Sequence, residues 1–146
     1  MSATKNRYPH PLIERYASAE MADVFSPARQ ARTWRDLWIA LAETERDLGV
    51  DVPEAAIEAM RSARDEVDLA RVAELEADLR HDVMAHVHHF GELAPGARAY
   101  IHLGATSCFV TDNAGLIQLR QGLEIVRSRL VAAIAALAGF ADQWKD

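Results

Sequence analysis

The segment 80–89 holds the densest set of side chains that can do chemistry. Four of the chain's six histidines lie in it, beside Arg80 and Asp82. Imidazole is the group whose unperturbed pKa lies closest to neutral pH, so such a cluster suits proton transfer or metal ligation. A second segment, 102–108, places another histidine near two hydroxyl side chains. We predict that these two segments belong together and that the rest of the chain positions them.

Helical spacing divides the first segment into two faces. Successive residues of a helix turn by about 100°, so Asp82, His86 and His89 share one face. That set is compatible with a transition metal, because imidazole and carboxylate are its usual ligands. His81 and His88 lie on a neighbouring face, and His81 stands at the helix start, where unpaired N–H groups favour an anion. Polar positions of a partly buried helix, each hydrogen-bonded to a neighbour, would explain the same pattern.

The second segment offers hydrogen-bond donors after a small, flexible dipeptide at 104–105. Thr106 and Ser107 follow it, and hydroxyls beside exposed backbone amides are good donors to carboxylate or phosphate. The alternative is a helix-capping turn, because Thr111 and Asp112 are suited to open the next helix. Ser107 or Cys108 could act as a nucleophile by residue type, but no nucleophile-elbow motif surrounds either residue.

Arg15 and Tyr16 form a third candidate group. An arginine fork can clamp a phosphate, and a tyrosine ring can stack on a base. An ion pair between Arg15 and Glu14 or Glu20 explains the same residues without a ligand. Residue types alone favour the ion pair.

Composition limits the classes of function. The chain has 146 residues, of which 50% are hydrophobic and 26% charged, as in a single globular domain. Its net charge of -6 and its lack of long basic runs argue against nucleic acid or an anionic membrane as partner. The single cysteine suits a reducing cytosol, so we predict a cytoplasmic protein. Residues 1–10 lack the apolar core of a signal peptide.

Apolar periodicity predicts a helical chain. We expect an irregular arm over residues 1–12, with its prolines as breakers. Capping residues and helix-ending residues then predict helices over 18–25, 26–49, 53–63, 68–75 and about 80–90, before a mostly irregular segment 91–111. The second of these helices has an apolar stripe of Ala28, Ala31, Trp34, Trp38, Leu41 and Leu48.

From Thr111 the helical pattern continues to the end of the chain. Twelve consecutive residues without a polar side chain run from Leu130 to Ala141, too few for the roughly 20 that span a bilayer. A helix that is apolar all round is buried on all sides. The preceding helices are too short to cover it, so we expect further sequence or other subunits to do so. We interpret the chain as a fragment of a larger protein, with a frayed terminal helix of a small bundle as the alternative.

Four segments resemble the adenylosuccinate lyase family of the fumarase and aspartase superfamily. They keep that family's order and spacing and are Arg15–Met21, Thr33–Trp38, Arg80–His88, and Ile101–Cys108 with the following Asp112-Asn113. The likeness covers nearly the whole chain from Arg15 on. The His-Asp-Val-Met-Ala-His-Val motif makes it specific, because other members of the superfamily share only the Thr-Ser region. One departure is Gly115, where the family more often has a polar residue.

The resemblance implies an all-α fold: the superfamily's N-terminal helical domain over 1–110, then the first part of a central helical-bundle domain over 111–146. It implies a β-elimination that cleaves adenylosuccinate to AMP and fumarate, and likewise the succinyl-carboxamide ribotide of purine biosynthesis. Such a reaction needs a base at the carbon beside a carboxylate, donors that stabilise the carbanion, and an acid for the departing nitrogen.

The resemblance also implies seven substrate-binding residues: Arg15, Tyr16, Arg80, His81, Asp82, Thr106 and Ser107. Within this set, Arg15 and Tyr16 bind the nucleotide, and His81 polarises the substrate or hydrogen-bonds to it. The two hydroxyl residues hold a carboxylate of the succinyl group. The other histidines of the first segment are supporting residues. The family uses no metal and no organic cofactor, so we expect none.

Two catalytic motifs of the family do not occur in this chain. They carry the general-acid histidine, in Thr-His-x-Gln-Pro-Ala-Gln, and the serine base, in Ser-Ser-x-Met-Pro-x-Lys. The family assembles its active sites from several subunits, so we expect a homotetramer at full length and no activity from this chain alone. Two alternatives stay open, which are a helical interaction module that docks a partner through 130–141 and a metal-binding domain that uses Asp82, His86 and His89.

Overall fold

A computed structural model describes residues 10–146, and that part of the chain is helical and contains no strand. Its elements are α1 (Pro11–Arg15), α2 (Ala19–Val24), α3 (Pro27–Asp47), α4 (Glu54–Ala63), α5 (Leu69–Leu79), α6 (Asp82–Leu93), a 3-10 helix (Pro95–Ala97) and α7 (Ser107–Gln143). The all-α prediction is confirmed, and the division at residue 110 stays a prediction. No helix in this range is long and apolar enough to cross a membrane.

Side-chain caps set the starts of three helices, as predicted. The hydroxyls of Ser18 and Ser26 each accept a backbone N–H three residues further on, at 3.2 Å. The Asp68 carboxylate accepts the N–H of Ala70 at 2.9 Å. Each bond satisfies a donor that a helix start leaves unpaired. Pro27 occupies the first position of α3, where its fixed φ already suits the helix.

Pro11 starts a helix and does not break one. The irregular arm predicted over 1–12 is therefore wrong at its end, where α1 begins. Its earlier part, residues 1–9, lies outside the described residues. Proline suits the first position of a helix, where its missing N–H would have no partner anyway. His10 caps the same helix by accepting the N–H of Leu12 through Nδ1.

The segment 91–111, predicted to be mostly irregular, is helical at both ends. α6 runs on to Leu93, and α7 begins at Ser107 and not at Thr111. The Thr111 hydroxyl donates to the carboxylate of Asp112 inside α7 and caps nothing. α5 also runs one turn past its predicted end. The prediction from capping residues placed the start of α7 too late, because a tight turn before Ser107 sets that start.

α3 is the central element of the fold. It packs against α2, α4 and α7. Trp34 and Trp38 lie in the core, as the apolar stripe predicts. Leu48, the last residue of that predicted stripe, is exposed because it caps the helix beyond its last turn. Gly49 then ends the helix with a φ of 92°, as predicted.

The core also contains a guanidinium group. Arg35 of α3 is 1% exposed, and its Nη1 donates to the carbonyls of Ala63, Arg64 and Glu66 at 2.6, 3.0 and 3.0 Å. Its guanidinium carbon lies 4.6 Å from the centre of the Phe90 ring of α6. Burial lowers the pKa of Arg35 to about 10, which still leaves it charged at neutral pH. Arg35 thereby joins α3 to the end of α4 and to α6.

Two of the clustered histidines pack into this core. The His86 ring meets Trp34 edge-on, with centroids 4.9 Å apart. His89 is buried and accepts the N–H of Asp68 through Nε2 at 3.1 Å. Burial, followed by the positive charge of Arg35, lowers the pKa of His86 to about 4 and also lowers that of His89. Both rings are therefore neutral at physiological pH.

The second half of α7 extends beyond the other helices. α7 has 37 residues, which corresponds to a rod of about 55 Å. Its large exposed apolar side chains are Leu116, Ile117, Leu119, Leu123, Val126, Leu130, Val131, Ile134, Leu137 and Phe140. The segment 130–141, which we expected to be buried, is uncovered within a single chain.

We expect Arg35→Met to lower the free energy of unfolding by about 2–4 kcal/mol, because it removes the buried side-chain donor that three backbone carbonyls share. Urea denaturation measures the change. Arg64→Met is the matched control, since it removes a partly exposed ion pair with Asp36 and should cost at most about 1 kcal/mol. Equal losses in the two variants would contradict the role assigned to Arg35.

His86 should make the fold sensitive to acid. Its pKa falls from 6.5 to about 4 on folding, so the unfolded chain binds more protons between these pH values. This contribution is complete above pH 6.5 and is lost as the pH falls, by up to about 3 kcal/mol. We expect His86→Phe, which keeps a ring against Trp34, to flatten the slope in urea denaturation. His88→Phe, at an exposed position, should keep the slope, and a slope unchanged by His86→Phe would refute this assignment.

Candidate functional site

The candidate site begins where α5 meets α6. Arg80 ends α5 in the left-handed conformation, with a φ of 54°, and redirects the chain into α6. His81 caps α6 and Asp82 is its first residue, and all three side chains are exposed. Among residues 10–146, no ion pair or hydrogen bond engages the Arg80 guanidinium. These three residues form an exposed edge of ionisable groups.

One ring nitrogen of His81 lies between two partners. Nδ1 is 3.4 Å from the backbone nitrogen of Met84 and 3.5 Å from Oδ1 of Asp82. A neutral ring accepts the Met84 N–H at this atom, whereas a protonated ring pairs it with Asp82. In both states Nε2 carries a hydrogen. His81 therefore presents an N–H donor on the other side of its ring.

The second segment forms a tight turn ahead of α7. His102 and Gly104 both adopt the left-handed conformation, with φ of 67° and 65°. Glycine adopts it freely, whereas it is uncommon for a side chain such as histidine. The indole N–H of Trp38 donates to Nδ1 of His102 at 3.0 Å, and the two rings meet edge-on. The turn is thereby attached to the core through α3.

Glu45 lies behind this turn. A Cβ built at Gly104 would lie 3.4 Å from Oε1 of Glu45, and within the described part of the chain Oε2 is buried without a hydrogen-bond partner. Burial raises the pKa of Glu45. The negative charge of this carboxylate disfavours an anion on the Glu45 side of the turn.

The structure brings the two histidine segments together on one side of α3. Burial, followed by the positive charge of His81, lowers the pKa of His102, so the two side chains lie within electrostatic range of each other. Ring contacts also run from His86 through Trp34 and Trp38 to His102, with centroid distances of 4.9, 6.3 and 5.9 Å. The roles of the site residues stay predictions.

The hydroxyls predicted to bind an anion stand at the start of α7. Thr106 is the capping residue but makes no side-chain capping bond, and Ser107 is the first helical residue. The start of a helix leaves N–H groups unpaired and carries a partial positive charge. The two hydroxyls add donors to these amides. This arrangement suits a carboxylate or a phosphate group.

Arg15 and Tyr16 lie elsewhere on the molecule. Both are exposed at the end of α1, and Tyr16 lines a groove against α7 near Ile125. Ser107 and Ile125 are 18 residues apart on one helix, which corresponds to about 27 Å. Within one chain, the structure therefore does not bring this pair to the site at His81.

The face considered for a metal is engaged in other contacts. His86 packs edge-on against Trp34, and the Nε2 atom of His89 accepts the N–H of Asp68, so that nitrogen is not available to a metal. Across residues 10–146, no three His, Cys, Asp or Glu side chains are grouped so that they could hold a metal ion.

Trp38 and His102 are residues of this region that the sequence prediction did not include among the seven. The apolar stripe places Trp38 in the core correctly, but periodicity gives no sign that its indole bonds to a histidine 64 residues away. The available signal for His102 was its position inside the Ile101–Cys108 motif, close to the two hydroxyls.

Three known proteins that are similar to this chain belong to one family. No protein-family model matches the chain. The adenylosuccinate lyase of Saccharomyces cerevisiae is 50% identical over 144 residues, which cover 97% of this chain and 30% of that protein. The adenylosuccinate lyase of Schistosoma mansoni is 50% identical over 131 residues, and that of Methanothermobacter thermautotrophicus is 34% identical over 139 residues. These matches cover 90% and 94% of this chain, and 27% and 31% of the relatives. The chain is therefore a homologue of the adenylosuccinate lyases, related to them over about 30% of their length.

Proposed function

We propose that the chain is the N-terminal part of an adenylosuccinate lyase, which cleaves adenylosuccinate to AMP and fumarate by β-elimination. The succinyl-carboxamide ribotide of purine biosynthesis is cleaved in the same way. The identity of 50% over 97% of the chain is the observation that carries this proposal. The donors gathered between His81 and the start of α7 support it independently, because both substrates are anions with carboxylate and phosphate groups.

The reaction breaks a carbon–nitrogen bond. A base removes a proton from the carbon beside a carboxylate, and the electron pair left there is stabilised through that carboxylate. The pair then forms the double bond of fumarate as the C–N bond breaks, and an acid protonates the departing nitrogen. The residues of this chain stabilise that electron pair through the substrate carboxylate. Thr106, Ser107 and the N–H groups of α7 hold the carboxylate, His81 donates to the substrate, and Arg80 and Asp82 line the site.

The two proton transfers need residues from outside this chain. The family's general-acid histidine and serine base have no counterpart in the sequence. The segment therefore contributes binding and electrostatic stabilisation, and neither the base nor the acid. We infer that it does not turn over substrate alone, and that it needs no metal or organic cofactor.

Arg15 and Tyr16 serve the nucleotide in a site completed by another copy. Their groove lies about 27 Å along α7 from Ser107, a distance that exceeds what one purine nucleotide bridges. Each copy would thus contribute to two sites. This is how the proposed homotetramer would use residues that lie far apart in one chain.

The exposed face of α7 supports assembly into that homotetramer. Ten large apolar side chains between Leu116 and Phe140 are exposed on one helix, and a monomer rarely leaves so large an apolar patch in water. A helix that is apolar on most sides is stable when other helices cover it. The net charge of -6 does not favour nucleic acid as the partner. The composition fits a cytoplasmic enzyme.

In the longer protein, we expect His81→Ala to lower kcat/KM for adenylosuccinate by about 10²–10³-fold, because it removes a donor to the developing charge. Fumarate release, followed by ultraviolet absorbance, measures the rate. His88→Ala, at an exposed position of the same helix, should leave it unchanged. The 146-residue chain should release no fumarate. Fumarate release by that chain, or equal rates in the two variants, would count against the proposal.

We expect the purified chain to self-associate through α7. Leu123→Lys should weaken this association at least about tenfold, because it places a charge in an apolar contact. Sedimentation velocity over a range of concentrations measures the change. Ser128→Lys adds the same charge about 140° around the helix, where the side chain lines a groove with Glu20 and Asp23, and it should leave association intact. A monomer at all concentrations, or equal effects of both variants, would disprove this interface.

A further inference from the structure

The contact between Trp38 and His102 has a chemical consequence for the site. Nδ1 of His102 accepts a hydrogen bond from the indole N–H, so Nδ1 has no hydrogen of its own. In a neutral imidazole the hydrogen then resides on Nε2. Burial and the positive charge of His81 lower the pKa of His102, which keeps the ring neutral. The ring therefore has one defined tautomer.

The other nitrogen of this ring is available. Within residues 10–146, Nε2 of His102 makes no hydrogen bond, and the side chain is partly exposed. His81 also presents its Nε2 hydrogen, because its Nδ1 is directed at Met84 and Asp82. Two imidazoles thus present N–H donors, and His102 lies in the turn that leads directly into α7. Such N–H donors suit an anionic oxygen.

The same bond also supports the backbone. His102 has a φ of 67°, a conformation that few residues other than glycine adopt. Its side chain is held against a tryptophan that is 1% exposed, so the indole restrains both the ring and the turn. Thr106 and Ser107 follow within five residues. The position of the two hydroxyls therefore depends on this attachment.

We propose that Trp38 is a positioning residue, whose indole N–H fixes His102 as the Nε2–H tautomer and directs that donor beside the start of α7. The tautomer assignment stands on the hydrogen bond alone. The further step, in which the donor serves a substrate carboxylate or phosphate, rests on the proposed function.

Trp34 provides a control within the same stack. Its ring also lies in the core and meets Trp38 edge-on at 6.3 Å. Its indole nitrogen is buried but has no hydrogen-bond partner within the described residues. Trp34→Phe therefore removes an indole from the core without removing a hydrogen bond. Trp38→Phe removes a comparable volume together with the bond.

The first experiment needs no variant. In the chain labelled with ¹⁵N in histidine and tryptophan, Nδ1 of His102 should show the chemical shift of an unprotonated nitrogen and Nε2 that of a protonated one. A scalar coupling across the hydrogen bond should connect Nδ1 to the Trp38 indole nitrogen. His102→Gln assigns the signals. A hydrogen on Nδ1, or no coupling in a spectrum that resolves both nitrogens, would overturn the proposal.

The variants then separate positioning from packing. Trp38→Phe should convert His102 to a mixture of tautomers, whereas Trp34→Phe should leave the single tautomer. In the longer protein, Trp38→Phe should lower kcat/KM at least about tenfold more than Trp34→Phe does, as expected for the loss of about 1.4 kcal/mol. A changed tautomer with unchanged kcat/KM would overturn the positioning role. An inactive longer protein with the predicted tautomer would instead refute only the proposed function.

Discussion

The geometry of α6, which holds the clustered histidines, depends on the interactions of the buried Arg35 guanidinium. It bonds to three carbonyls at the end of α4 and lies over Phe90 of α6, so it joins three helices at one point. Its charge also acts on His86 and His89, whose pKa values it lowers in addition to the effect of burial. Burial, reinforced by this positive charge, thus keeps the neighbouring imidazoles neutral, and they pack as rings.

The clustered histidines consequently divide into two kinds. His86 and His89 face the core and are held neutral, while His81 stands at the exposed start of α6. His102, from a distant part of the sequence, is bound to Trp38 and lies within electrostatic range of His81. The chemical character of the site therefore depends on hydrogen placement. Each of these two rings has its Nδ1 directed at the protein and its Nε2 hydrogen left for a ligand.

Most of the fold was predictable because its signals are local. Ser18, Ser26 and Asp68 cap their helices as their residue types predict, and Gly49 ends α3 as a glycine in the left-handed conformation does. The same reasoning was wrong at Pro11, which was predicted to break a helix but is the first residue of α1.

The unpredicted features of the site arise from long-range contacts. A position on an apolar stripe shows that Trp38 is buried, but not which atom its indole will meet. The start of α7 was misplaced because two left-handed residues, one of them a histidine, set the turn before it. The burial of Arg35 was not predictable either, because apolar periodicity does not identify a charged residue at a core position. The two histidine segments were recognised as candidates, but their meeting on α3 depends on packing.

The long helix α7 supports the fold and also fixes the spacing between two regions of the molecule. One unbroken helix fixes both the distance and the angle between the turn at Thr106 and the groove near Tyr16. Helices bend only gently when they contain no proline or bulge, so loop motion does not alter this spacing. A single residue inserted between the two regions would turn everything beyond it by about 100° and shift it by about 1.5 Å. It would rotate Gly122 away from Phe25 of the α2 end, where a Cβ already lacks room. This stretch is therefore constrained in its length more strictly than in the identity of most of its residues.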